Sequence, residues 1–217
     1  MNVIILLGAP GSGKGTQARA LQKKFNLKYI GSGDLLRGRM KKNDYTGRKI
    51  KQVINSGKIM STPVIFNIWM NLLEQFKKDS KIKGIIFDGS PRTLPEAEML
   101  DMTLDWYEWL KYKKVIFVDV SSKEVINRLA KRRICLKCGR IIPYIGDFKK
   151  LKSCDKCGGK LVRRADDDIK GIKERLRWFK TDVVPAINYY KRKKEIIRIN
   201  GEQSIKGVEK DILRSIR

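Results

Sequence analysis

Histidine is missing from this 217-residue chain, and acidic residues are scarce beside basic ones: 23 Asp and Glu against 49 Lys and Arg, a formal charge of +26. The first absence removes the usual general base near neutral pH, so any catalysis must rest on positioning and charge. The second suggests a polyanionic partner through long-range electrostatics. The basic residues, however, are spread along the whole chain and neither form one block nor interleave with aromatics. A solvated lysine-rich surface accounts for that pattern, and no specific nucleic-acid partner is expected from it. Long apolar runs are also lacking. Nothing approaches the ~20 residues that cross a bilayer, so no membrane partner is expected. The apolar run at positions 3–7 is too short for a signal peptide and lacks a small-residue cleavage site after it, so the expected location is cytoplasmic. Cysteine is confined to four residues between positions 135 and 157.

What is present begins with Gly8-Ala9-Pro10-Gly11-Ser12-Gly13-Lys14-Gly15-Thr16. It follows Val3-Ile4-Ile5-Leu6-Leu7, which reads as a buried parallel strand, and precedes a helical pattern through Ala18, Leu21 and Phe25. A glycine-rich turn between strand and helix lets backbone N–H groups converge at the positive end of a helix, a cradle for phosphate. Lys14 is placed to reach the β/γ-phosphates of a nucleoside triphosphate, and a hydroxyl to help hold Mg²⁺. Gly15 stands where the general motif has Ser or Thr, and the hydroxyl comes one place later, at Thr16.

The rest of the chain alternates strand and helix. Further strands are predicted at 28–30, 85–87, 115–120 and 196–199, and helices at 34–41, 46–54, 63–78, 95–110 and 123–131. A long helix at 167–191 is expected to bend or break near Pro185, and a closing helix starts at Ser204. Five apolar strands separated by helices imply an α/β fold, a doubly wound parallel sheet with helices on both faces. Ligands on such sheets bind beyond the carboxyl ends of the strands, where the glycine loop and Asp88 both fall.

Cys135-x₂-Cys138 and Cys154-x₂-Cys157 are separated by fifteen residues, and a glycine follows each pair. Four thiolates at this spacing suit tetrahedral Zn²⁺ in a closed, structural site. Two disulfides or four free thiols are the alternatives, the former disfavoured in a reducing compartment. Such a metal would fold a small flap that has no core of its own.

The glycine loop, Ser32-Gly33-Asp34-Leu35-Leu36-Arg37, Phe87-Asp88-Gly89-Ser90-Pro91-Arg92-Thr93, Arg132-Arg133-Ile134-Cys135 and Arg164-Ala165-Asp166-Asp167 occur in that order. Together they closely resemble adenylate kinases with a long, zinc-containing lid, and the match covers essentially the whole chain. The resemblance implies a P-loop NTPase-like sheet in a core of residues 1–31, 62–131 and 164–217. An insertion at 32–61 would bind the acceptor nucleoside monophosphate, and a zinc lid would span 132–163. It implies reversible transfer of the γ-phosphoryl of ATP to AMP with Mg²⁺, giving two ADP, by a monomer.

It also implies roles. Lys14, within Gly11, Ser12, Gly13, Gly15 and Thr16, would hold the donor phosphates. Arg128 would stack on the donor base, which Ile141, Ile142 and Gln203 would border. Ser32, Arg37, Lys58, Ile59 and Met60 would line the acceptor pocket, with Gly89, Ser90, Pro91 and Arg92 as its other wall. Arg37 and Arg92 would meet the acceptor phosphate. Arg132, Arg164 and Arg175 would close over the transferring group, and Asp88 would act through water on Mg²⁺.

The chain departs from the family at Ser32 (usually Thr), at Ser90 (usually Phe) and at Ser61-Thr62-Pro63 in place of an acidic helix start. It departs again at Glu96, where the family has a Gln that reads adenine. An ionised carboxylate offers only acceptors, which suit the N1 and N2 donors of guanine. A monophosphate kinase with another acceptor such as GMP is therefore the first alternative, and a P-loop zinc protein binding RNA the second.

Overall fold

A computed structural model describes residues 1–56, 58–163 and 167–216. In chain order it runs β1 (Asn2–Leu7), α1 (Lys14–Phe25), β2 (Lys28–Gly31), α2 (Ser32–Arg39), α3 (Tyr45–Asn55), α4 (Thr62–Lys77), β3 (Gly84–Asp88) and α5 (Leu94–Trp106). Then follow β4 (Lys113–Asp119), α6 (Ser122–Ala130), β5 (Arg133–Cys135), β6 (Ile141–Ile142), β7 (Leu161–Arg163), α7 (Ile169–Trp178), α8 (Val184–Arg192), β8 (Ile196–Asn200) and α9 (Ile205–Ser215). The main sheet has the order β2-β3-β1-β4-β8, and every pair is parallel.

The period of two in a strand explains why β1 is apolar from Val3 to Leu7. Val3, Ile5 and Leu7 turn to one face, where they meet Ile85, Phe87 and Val115 beneath α4, α5 and α8. Ile4 and Leu6 turn to the other, with Ile86, Ile116 and Val118 beneath α1 and α9. With helices on both faces neither side of the strand meets water, and polar residues are excluded from it. Trp69 of α4 anchors the first layer, edge-on to Phe87 at 6.1 Å between ring centres.

Three differences from the sequence reading have local causes. The helix expected at 95–110 stops at Trp106, because Glu108 adopts a left-handed conformation (φ 61°) and Trp109 N–H closes back on Leu104 O at 2.7 Å. The chain then makes a single 3₁₀ turn, Leu110–Tyr112, into β4. The expected long helix begins only after Asp168, whose carboxylate accepts from Gly171 N–H at 2.8 Å as an N-cap. Its break lies upstream of Pro185. A wider π-helical turn, Phe179–Val183, absorbs the missing N–H that would have bonded Thr181, and α8 restarts at Val184. At the start of α4, Pro63 occupies the first turn as expected, but Ser61 caps it by position alone, without a side-chain hydrogen bond.

Between α6 and α7 the chain leaves the sheet. It forms a three-stranded antiparallel flap in the order β6-β5-β7, with a 3₁₀ turn at Gly146–Lys150.

Candidate active site

The glycine loop joins β1 to α1 at the carboxyl edge of the sheet. Gly11 and Gly13 carry φ of 82° and 95°, the left-handed region in which side chains are strained. That conformation turns the loop sharply enough for α1 to start at Lys14. The first turn of α1 holds no acidic residue, so its positive end faces the cleft uncompensated. Lys14 Nζ donates to Ala9 O at 3.1 Å within the loop. Removal from water pulls its pKa down to about 8; Asp88 opposes the shift, and Arg92, Arg132 and Arg175 reinforce it. The same three arginines line the cleft with Lys14.

The departure at Gly15 has a steric reason. A Cβ there would stand 3.0 Å from Asp88 Oδ2, so a side chain would press on this carboxylate at the end of β3. Tyr29 Oη donates to the same oxygen at 2.7 Å.

The arginines are held in place before any substrate arrives. Arg132 donates Nε and a terminal N–H to the two oxygens of Asp167, at 2.7 and 2.8 Å, and Arg175 donates to Asp167 as well. One buried carboxylate thus pins two guanidiniums side by side, offsetting their repulsion. Arg92 donates Nε to Gly89 O at 2.9 Å and lies over the Trp178 ring at 5.7 Å. Arg128 is buried, its guanidinium shared among Glu124 Oε1 (2.8 Å), Ser12 O (3.3 Å) and Gly201 O (2.9 Å). These groups border one cleft of about 1540 Å³, in which lysine and arginine far outnumber carboxylates. A single small-molecule site occupies roughly 300–1000 Å³, so the cleft has room for two ligands.

In the flap, Cys135 Sγ lies 3.5 Å from Cys157 Sγ and Cys138 Sγ 3.7 Å from Cys154 Sγ, and all four sulfurs are within 4.8 Å of one another. Each Cys-x₂-Cys pair closes a tight turn: Gly139 N–H bonds Cys135 O at 2.9 Å and Gly158 N–H bonds Cys154 O at 2.8 Å. A Cβ on Gly159 would sit 2.8 Å from Cys135 Sγ, so the cluster has backbone packed against it. Four sulfurs this close can hold one metal ion.

The family description "Adenylate kinase" matches residues 6–195. An adenylate kinase of Methanocella arvoryzae is 40% identical over 214 residues, covering 98% of this chain and 97% of the relative. One of Archaeoglobus fulgidus is 38% identical over 210 residues, covering 96% and 95%, and one of Caldicellulosiruptor bescii is 36% identical over 214 residues, covering 98% of each. The chain belongs to the adenylate kinase family. It is accordingly a phosphotransferase of the nucleoside monophosphate kinase class, and its clustered cysteines fit the zinc-lid type of adenylate kinase.

Of the residues that the resemblance singled out, the cleft wall includes Gly11, Ser12, Gly13, Lys14, Gly15, Thr16, Arg128, Arg132, Ile141 and Gln203 among those expected for the donor. Among those expected for the acceptor and the transferring group it includes Arg37, Lys58, Gly89, Pro91, Arg92 and Arg175, and Asp88 lines it too. Arg37 pairs there with Asp34 at 2.6 Å. Ser32, Met60, Ser90 and Glu96 lie behind that wall, at 2, 7, 0 and 2% exposure, and Ile59 is half-buried. Ser32 Oγ and Ser90 Oγ are in direct contact. Glu96 Oε2 accepts from Arg92 N–H at 2.7 Å; burial pushes this carboxyl's pKa up, and the Arg92 amide and charge hold it back. Ile142 is fully buried and lies outside the cleft wall, because neighbouring strand residues point to opposite sides and Ile141 takes the cleft side. Arg164 lies outside the described residues. The two functional neighbours without an assigned role in the sequence are Asp167 and Tyr29. Asp167 was visible only as an acid beside Arg164, and nothing local marks Tyr29.

Proposed function

We propose that this adenylate kinase transfers the γ-phosphoryl of ATP to AMP, giving two ADP reversibly. The observation that carries this is that Arg92, Arg132 and Arg175 line one cleft with Lys14 and its glycine loop. Phosphoryl transfer spreads charge over equatorial oxygens and needs alignment more than proton chemistry, which suits a chain without histidine. Lys14 and the loop from Gly11 to Thr16 would hold the donor phosphates, with Arg128, Ile141 and Gln203 toward the donor base. Arg37 and Arg92 would hold the acceptor phosphate, releasing Asp34 and Gly89 O to do so. Arg132 and Arg175, with Arg164, would supply permanent planar charge around the transferring group.

Asp88 and Thr16 are hard oxygen donors beside the donor loop, a set that fits Mg²⁺. When bound, that ion neutralises charge on the donor phosphates. For the cysteine cluster, a tetrahedral Zn–S distance of about 2.3 Å implies sulfurs roughly 3.8 Å apart, close to the two separations of 3.5 and 3.7 Å. Zn²⁺ would therefore staple the flap.

Residues 1–31, 62–131 and 164–217 would act as the core, 32–61 as the acceptor-binding insertion and 132–163 as a lid. Since Arg132 stands at the root of the flap, lid closure would couple exclusion of water to assembly of the charge ring. The test is ADP formation by the purified monomer supplied with Mg²⁺, ATP and AMP. Turnover requiring both nucleotides is the expected result, and no ADP from that mixture defeats the reading.

A further inference from the structure

Gly31 and Tyr29 form a pair whose purpose lies at Asp88. Gly31 ends β2 with φ −103° and ψ 108°, an extended conformation that any residue adopts, so backbone freedom is no reason for glycine there. The reason is space. A Cβ on Gly31 would fall 2.5 Å from Tyr29 Cε1 and 2.7 Å from its Oη. Tyr29 and Gly31 are two residues apart and share a face of β2, and Gly31 stands in register with Asp88 of β3. The tyrosine side chain leans along its own strand, across the empty α-carbon of Gly31, and so reaches the carboxylate on the neighbouring strand.

The ring is held at two points. Its hydroxyl donates to Asp88 Oδ2 at 2.7 Å. The Arg19 guanidinium lies over it, 3.5 Å from the ring centre, and is itself anchored on Asp34 at 2.7 Å and Gln22 at 3.1 Å. On the other side of Oδ2 stands the bare α-carbon of Gly15. Two glycines, one on the phosphate loop and one on β2, therefore make the space in which one oxygen of Asp88 is held. A carboxylate has two oxygens and about four lone-pair directions, so a phenol on Oδ2 leaves the other oxygen available.

We infer that Tyr29 is a positioning residue for Asp88: it fixes the carboxylate so that Oδ1 is directed to the Mg²⁺-bound water of the donor nucleotide, and Gly31 is the space that admits it. The inference rests on the proposed Mg²⁺ role of Asp88. Partners of this kind set the orientation of a metal's ligands, and losing one weakens metal binding by roughly tenfold or more.

Tyr29→Phe keeps the ring, its packing and the Arg19 contact, and removes only the hydroxyl. Calorimetric titration with a non-hydrolysable ATP analogue, with and without Mg²⁺, separates the two roles. For the variant we expect metal-free affinity within about twofold of wild type and a loss of about tenfold in the gain conferred by Mg²⁺. Turnover should be depressed at limiting Mg²⁺ and recover at high Mg²⁺. Gly31→Ala, which displaces the ring, should lose the same Mg²⁺ gain, and the double variant should lose no more than either single one. A thermal melt confirms that each variant is folded. An undiminished Mg²⁺ gain in folded Tyr29→Phe overturns the inference and leaves Tyr29 a packing residue, while the kinase reading stands. A wild-type protein that binds the analogue equally with and without Mg²⁺ overturns the proposed Mg²⁺ role of Asp88 and the inference with it.

Discussion

The parallel sheet and the cysteine flap belong to one chain but are held by different physics. In β1, Val3 to Leu7 are each at most 1% exposed, covered by helices on both faces. Each such side chain contributes about 1.5–3 kcal/mol when fully buried. In the flap the strands are two or three residues long, and Ile142 is the one aliphatic side chain fully buried among its described residues. The other buried flap residues, Cys135 and Cys154, belong to the sulfur cluster that could hold a metal ion. The sheet can therefore hold the glycine loop at its edge by burial alone, whereas the flap has little apolar burial of its own to set its shape. The charges proposed to act on the phosphates sit on both sides of that boundary, Lys14 and Arg92 on the sheet side and Arg132 at the flap's root.

The largest effect should come from Lys14, where the core spends stability on function. Lys14→Met removes a charge aimed at the transferring group, and kcat should fall by about 10²–10³ or more. The same substitution should stabilise the nucleotide-free protein. Lys14 titrates near 8 when folded and at 10.5 when unfolded, so between those values the unfolded chain binds more protons. Stability of the wild type consequently rises as pH climbs from about 8 to about 10.5, and the penalty is full below 8. Melting curves should show Lys14→Met above wild type at pH 7, with Tm higher by about 2–4 °C for each kcal/mol relieved, and the gap closing by pH 10.5. A variant retaining a tenth of wild-type turnover would remove Lys14 from the mechanism.

The flap should respond to metal in a way the sheet does not. Stripping the metal with a chelator, or Cys135→Ala, should unfold the flap and lower kcat by roughly tenfold or more, since Arg132 loses its frame. Hydrogen exchange should show the loss confined to residues 132–163, with the amides of β1 and β3 still protected. One Zn²⁺ per chain is expected by elemental analysis. Protein purified without chelator and containing no metal would contradict the comparison at its base.

How far each region could be read from sequence follows the same division. The five core strands announce themselves because burial on both faces demands unbroken apolar runs, and the phosphate loop because only glycine meets its positive φ values. Helix ends were less legible. Nothing local at Glu108 signals a left-handed residue, so the helical pattern at 95–110 overruns the end of α5, and the π-helical turn at Phe179–Val183 spreads the effect of Pro185 backward along the chain. The flap's metal cluster was legible from cysteine spacing, its three strands were not, being too short to show a period. At the site, residues that act through their own chemistry stood out. Those that act by contact did not: Tyr29 reaches Asp88 from 59 positions away, and Asp167 gathers Arg132 across 35.

The smallest effect is expected at Glu96, and it sharpens the comparison within the sheet side of the cleft. Its carboxylate is already engaged: it stands in the first turn of α5, where Thr93 Oγ1 accepts from Glu96 N–H at 3.2 Å, and it accepts in turn from Arg92 N–H at 2.7 Å. A glutamine retains a carbonyl oxygen for that amide, so Glu96→Gln should leave α5 and Arg92 in place. Because burial raises the carboxyl's pKa, the folded protein binds more protons than the unfolded one just above the ordinary carboxylate range, and wild-type stability falls as pH rises through that window. The amide escapes this cost, so the variant should melt at or slightly above wild type at pH 7 and lose that part of the pH dependence. Adenine offers a donor at N6 and an acceptor at N1, a pattern an amide matches and a carboxylate half matches. The AMP over GMP preference in kcat/KM should accordingly rise in Glu96→Gln by about tenfold at most, because a side chain bonded to Arg92 and only 2% exposed has limited reach toward a base. If GMP outruns AMP in the wild type and the order reverses in Glu96→Gln, the acceptor is guanylate and this carboxylate selects it.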